Sequence, residues 1–227
     1  MLDEPDAAYS GQLDAVRGRL QEMADRVGAM MALSVRAVLE RDATVAAEAI
    51  ASDDAIDELD VVVEAECMRL TSKEQPVAAD LRFVASAVRG VSDLERVADH
   101  LVDIAKIGRG LAAPLATGVS AGFEAMASVV TQMLADAVSA FVMGDLEQVQ
   151  KVVEADERMI NLYTEQSQRL SDAMRADPGA VDESIALLFA SQYLERIADH
   201  LVNIAERVYM VETGHLAQLA RSHRTQS

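Results

Sequence analysis

Apolar residues recur along this chain at alternating steps of three and four, the spacing of an amphipathic α-helix. Leu13, Val16, Leu20, Met23, Val27 and Met30 trace the first stripe. It predicts a helix over residues 13–41, with residues 1–10 as a short lead-in. A second helix is predicted over residues 44–71, with Thr44 as its N-cap and Ile56, Leu59, Val63 and Leu70 facing inward. Residues 73–75 read as a turn. Pro76 then sits where a first helical turn tolerates it, and a third helix runs over 77–108 to Gly108 and Gly110. Residues 110–122 hold three glycines, a proline and no charge, the best boundary in the chain. Beyond it Phe123, Met126, Val130, Met133, Ala137 and Ala140 begin a fourth helix that Gly144 breaks. A fifth spans 146–175, Asp177-Pro178-Gly179 forms a turn, and a sixth covers 180–212.

One stretch is written twice. DLERVADHLVDIAK at 93–106 returns as YLERIADHLVNIAE at 193–206, with ten of fourteen positions identical. Leu94, Val97, Ala98, Leu101, Ile104 and Ala105 make an apolar stripe, while Glu95, Asp99 and Asp103 step by four along another face. A match of this length implies an internal duplication. The expected fold is all-α, two tandem three-helix bundles related by a pseudo-two-fold repeat, because short connections favour antiparallel neighbours. The expected divisions are a first bundle at 1–110, a linker at 111–122, a second bundle at 123–212 and a polar tail at 213–227.

Composition narrows the function. Thirty-eight Asp and Glu against twenty Lys and Arg give a formal charge of −18. Such a surface repels nucleic acid and anionic lipid and attracts cations or basic partner surfaces. Cys67 is the single cysteine, so no intrachain disulfide forms and a reducing compartment fits. The acidic start lacks the basic-then-apolar order of a signal peptide, and no run of eighteen apolar residues exists. The expectation is a cytoplasmic protein with no direct membrane insertion.

The candidate chemistry is acidic. Asp53, Asp54, Asp57, Glu58, Asp60, Glu64 and Glu66 fall within fourteen residues without a Lys or Arg. Asp53 and Asp57 form one i, i+4 pair, and Glu95 and Asp99 form another on the following helix. Facing each other, they would offer four carboxylates to a hard cation. With Ile160 matched to Ile56, the second half offers Glu157, Asn161, Glu195 and Asp199, one charge poorer. The alternative for both is a solvated helix face. A di-iron oxidase needs a Glu-x-x-His motif, but His100 follows Glu95 by five, so the two do not converge. No nucleophile–base arrangement, phosphate loop or zinc spacing occurs, which points away from an enzyme. A metal-dependent carboxylate enzyme and a metal-free scaffold are the competing functions.

The duplicated LER(V/I)ADH with its downstream (D/N)IA, the upstream DDAIDEL and the QPVAADLR connection resemble the PhoU family of phosphate-uptake regulators. The resemblance covers nearly the whole chain. It implies multinuclear iron or zinc clusters, one per repeat, on E/D-x-x-x-D pairs, with magnesium or manganese as alternative occupants. Carried over, the pairs are Asp53/Asp57 with Glu95/Asp99, and Glu157/Asn161 with Glu195/Asp199, where Asn161 departs from the pattern. It further implies a non-enzymatic regulator that reports phosphate sufficiency. Its partners would be the ATPase subunit of a phosphate ABC transporter, which it restrains, and a sensor histidine kinase, which it holds in the signalling-off state. It would sit at the inner face of the membrane through those partners. A homodimer is the expected assembly.

Overall fold

A computed structural model describes residues 7–74, 78–111 and 117–219. The described residues form α1 (Ala7–Glu40), α2 (Ala43–Ala51), α3 (Asp54–Glu74), α4 (Ala78–Gly110), α5 (Thr117–Met143), α6 (Leu146–Ala176), a 3-10 turn at Pro178–Ala180 and α7 (Val181–Thr213). There is no strand among them. α1, α2/α3 and α4 make the first repeat, and α5, α6 and α7 the second.

Three local expectations need correcting. The second helix is two helices, interrupted at Ser52 and Asp53 where no proline or glycine announces a break. The Asp53 carbonyl accepts from Ile56 N (2.7 Å) and Asp57 N (3.1 Å), so Asp53 opens a new helix. The cap of α2 is Asp42, not Thr44. Its carboxylate accepts from Thr44 N at 2.7 Å and Val45 N at 3.3 Å, and those two N–H bonds hold Asp42 below the ordinary aspartate value. Residues 117–122, expected in the linker, belong to α5. Gly122 permits this, because α6 packs so close that a Cβ there would collide with the Gln166 side chain. Gln166 Nε2 also donates to Val119 O at 3.0 Å. The turn around Pro76 and residues 112–116 of the linker lie outside the described residues. So does the tail beyond Leu219, whose N–H donates to Glu206 Oε1 at 2.7 Å.

The two repeats share one core. The most extensive helix contact joins α4 to α7, the two duplicated helices. They run antiparallel: Asp93 meets His200 and Asn203, while His100 meets Tyr193. Leu94, Val97, Ala98 and Leu101 are buried with Leu194, Ile197, Ala198 and Leu201 in a single hydrophobic cluster continuous across both halves. Arg41 adds a polar tie between the repeats, its guanidinium 2.7 Å from Glu183 on α7. Val119–Met143 is long and apolar enough to cross a membrane by length and composition. Its apolar residues Phe123, Met126, Val130 and Met133 are fully buried in the shared core, which accounts for that composition.

The tightest backbone approach is at Gly108, where a Cβ would lie within 2.7 Å of Ala37 and Val38 backbone atoms. Gly108→Ala should therefore lower stability by about 1–3 kcal/mol through overpacking. Gly18→Ala, with open space around it, should raise stability by up to about 1 kcal/mol. Thermal melts of the two variants test this; a neutral Gly108→Ala would show that α1 and α4 separate easily.

Candidate metal centre

Packing the apolar stripe of α4 inward turns Glu95 and Asp99 toward α3. There Asp99 lies close enough to Asp53, and Glu95 close enough to Asp57 and Asp60, for their charges to interact across the α3–α4 groove. Partial burial, then Asp57, Asp99 and Asp54, hold Asp53 above the ordinary aspartate value. Burial, Glu64 and Asp57 do the same to Asp60. Burial and Asp99 raise Glu95, with Asp60 and Asp57 adding to it and Arg96 opposing. Asp57 and Asp99 both act on Asp53, and Asp99, Asp60 and Asp57 all act on Glu95, so Asp60 joins the four acids expected from sequence along this groove. Glu66 faces away, tied to Arg19 of α1 at 2.9 Å.

The second ridge differs from expectation. Arg41 (φ 57°) and Gly144 (φ 68°) both adopt the left-handed conformation just before a helix. Asp42 and Asp145 are both the N-caps that follow. Ala49, Ile56, Val63 and Cys67 are buried, as are Val152, Met159, Gln166 and Leu170. Every pair is separated by 103 residues, so Met159, not Ile160, is the counterpart of Ile56. The counterpart of Asp53 is Asp156, that of Asp57 is Ile160, and that of Asp60 is Tyr163. Glu157 and Asn161 are exposed and sit one position off the ridge. The carboxylate that faces Glu195 is Asp156, 2% exposed. Burial first, then Asp199 and Asp156, hold Glu195 above the ordinary glutamate value.

Between the ridges, on the pseudo-two-fold axis, the His100 and His200 rings lie 5.6 Å apart. Here the copies diverge. His200 Nδ1 is 2.9 Å from Asp93 Oδ1, while His100 packs on Tyr193, the counterpart of Asp93, at 5.5 Å. Burial, His200 and Arg196 hold His100 below the ordinary histidine value. Both rings serve the seam rather than either ridge.

The donor chemistry of the first ridge suits a hard cation: five carboxylates and no soft ligand. Among the described residues no three His, Cys, Asp or Glu side chains converge closely enough to hold an ion as they stand. Arg96 bridges Glu95 (3.4 Å) and Asp99 (2.9 Å) instead. The second ridge has three carboxylates, one of them buried, and suits a cation less well.

Comparison with known proteins follows the same division into repeats. A sequence model of the PhoU domain matches residues 20–108 and again 123–208. A protein of Deinococcus radiodurans called phosphate-specific transport system accessory protein PhoU homolog is 30% identical over 207 residues, covering 91% of this chain and 97% of that protein. The protein of the same name in Rhizobium meliloti is 30% identical over 213 residues, covering 92% of this chain and 88% of its own length. Among solved structures, PhoU from Pseudomonas aeruginosa superposes with a TM-score of 0.86 at 28% identity, over 91% of this chain and 100% of that one. The phosphate transport system regulatory protein PhoU from Streptococcus pneumoniae gives 0.85 at 28% identity, over 92% and 99%.

Acids held above their ordinary values favour folding below those values and lose that contribution as pH rises. The first ridge therefore costs stability near neutral pH. Asp60→Asn, in EDTA and low salt, should raise the melting temperature near neutral pH. The gain should vanish below the ordinary aspartate value of 3.8, and shrink at about 1 M salt, where charges are screened within about 3 Å. A lower melting temperature at neutral pH would show that Asp60 is paired rather than repelled.

Proposed function

The chain belongs to the PhoU family, and from that membership we propose that it is an accessory protein of a phosphate-specific transport system. It restrains the transporter when phosphate is plentiful and keeps the associated sensor histidine kinase in its signalling-off state. It does so from the cytoplasmic side by contact with the transporter ATPase and the kinase. The observation that carries this is the double PhoU-domain match over 20–108 and 123–208, supported by relatives named for that transport system over more than nine-tenths of the chain. The formal charge of −18 favours basic patches on both partners.

The first ridge, Asp53, Asp57, Asp60, Glu95 and Asp99, is the site at which this protein takes up iron, zinc or another divalent cation. Bound cations relieve the mutual repulsion of these carboxylates and stabilise the α3–α4 pair. No catalytic step is assigned to it. Burial pushes the Cys67 thiol up to about 11, so the chain's one cysteine is a poor nucleophile.

A deletion strain grown in excess phosphate tests the regulatory role. Phosphate-starvation genes should be derepressed and return to the repressed level when the gene is restored. Unchanged expression in the deletion, with neither the ATPase nor the kinase recovered on tagged protein from phosphate-replete cells, would overturn it.

A further inference from the structure

We propose that the outer face of α3, together with the start of α4 beside it, is a docking surface for a basic amphipathic helix of a partner protein. This rests on the reading that the chain works through contact with basic surfaces of its partners, and it assigns one such contact to the first repeat.

On α3, Asp54, Glu58, Val61, Ala65 and Met68 follow one another at alternating steps of four and three. They form a single row along the helix, and all five are exposed. The first turns of this row are acidic and the last are apolar. Val61 is 65% and Met68 66% exposed, although the opposite face of α3 already fills the core with Ile56, Leu59, Val63 and Leu70. The neighbouring helix extends the apolar end. α3 and α4 run antiparallel, since Asp53 interacts with Asp99 while Asp57 and Asp60 interact with Glu95. On α4, Leu81, Ala85 and Val88 continue the row of Ser92, Glu95 and Asp99 toward the helix start, which therefore lies toward the Met68 end of α3. Leu81 is 45% exposed, Ala85 is exposed and Val88 half-buried.

The duplication shows that the fold does not require this row to be apolar. At the same 103-residue offset, α6 carries Glu157, Asn161, Thr164, Gln168 and Ser171, polar throughout. Single apolar side chains on a surface are ordinary, but a row continued across two adjacent helices marks contact with another molecule. Charge selects the molecule. Residues 53–66 hold seven carboxylates and no base, and the next base, Arg69, turns aside to Gln12 of α1. A second copy laid here would bury Asp54 and Glu58 against apolar side chains or other carboxylates, with no base to pair them. Nucleic acid and anionic lipid are repelled. A helix with Lys or Arg beside an apolar stripe matches both ends of the row. Its apolar side chains cover Val61, Met68 and Leu81, and its bases meet Asp54, Glu58 and Glu64. Met68, unbranched and polarizable, adapts readily to such a surface. The row from Asp54 to Met68 is about 21 Å long, so a partner helix of about four turns spans it.

The test uses the full chain and a labelled synthetic helical peptide of about eighteen residues built from Leu and Lys, long enough to span the row. A Leu–Glu peptide of the same pattern serves as its counterpart, and fluorescence anisotropy reads the affinity. Wild type should bind the Leu–Lys peptide and not the Leu–Glu one, with affinity falling as salt rises. Val61→Thr combined with Met68→Ser installs the residues that the second repeat carries, and should weaken binding at least about tenfold while circular dichroism stays that of wild type. Ile185→Ser combined with Phe189→Ser, at positions 41% and 52% exposed on α7, should leave the affinity as it is. Unchanged affinity in the α3 variant, or equal binding of the two peptides, would overturn the surface. A wild-type dimer that the α3 variant converts to monomer would give the face to a second copy and overturn it as well. Leu81→Ser reads the same surface from α4 if the α3 variant fails to fold. Failure of the regulatory reading shows separately, in the deletion strain, where the peptide plays no part.

Discussion

The rest of the structure depends on the seam between α4 and α7. Each carries one copy of the duplicated stretch, and each presents the same apolar stripe to the other. Eight side chains, from Leu94, Val97, Ala98 and Leu101 and their counterparts, are buried there. Full burial of each leucine, valine or isoleucine contributes about 1.5–3 kcal/mol before the entropy of ordering is set against it. Because the stripe occupies one face only, Glu95 and Asp99 must point toward α3, and Glu195 and Asp199 toward α6. The position of both acidic ridges follows from hydrophobic packing between the repeats, not from any attraction among carboxylates. Those carboxylates repel, and the seam holds them in place against that repulsion.

An antiparallel pair of identical helices would make a symmetric centre. This chain departs from symmetry where the seam brings the two copies together. Asp93 is opposite His200, with Asn203 also donating to it at 3.3 Å, and its counterpart Tyr193 covers His100. The two substitutions that distinguish the copies at 93/193 and 103/203 thus act jointly: one carboxylate partners one histidine and one amide, and an aromatic ring replaces the other. The same divergence extends outward to α6, where Ile160 and Tyr163 replace the acids of α3. The two halves therefore differ in charge, with seven carboxylates in residues 53–66 against three in the matching 156–169.

Periodicity in the sequence was enough to place the long helices, because stripes such as Leu13 to Met30 recur over many turns and leave little ambiguity. The repeat of LER(V/I)ADH made the internal duplication legible too, but not that its two copies would pack against each other as α4 and α7. What failed was finer. The α2–α3 break at Ser52 and Asp53 carries no proline or glycine, and Asp53 itself supplies the new start. Residues 117–122 looked like linker because glycine reads as a breaker, yet Gly122 is there to admit Gln166. The one-residue slip that named Glu157 and Asn161 in place of Asp156 and Ile160 came from matching isoleucine with isoleucine. The spacing of Asp42 and Asp145, each a good cap directly before an alanine- or leucine-led helix, held the correct register. Burial, which decides that Met159 and not Ile160 faces inward, is a tertiary property that residue identity does not encode.

The account comes down to a claim about position: the seam sets out two acidic ridges, and the cation uptake proposed above belongs to the one between α3 and α4. Anomalous diffraction from crystals soaked in Mn²⁺ tests it most directly. The account predicts peaks among Asp57, Glu95 and Asp99, with the Arg96 guanidinium displaced. No peak along α3 and α4 in a crystal that holds Mn²⁺ elsewhere would contradict it.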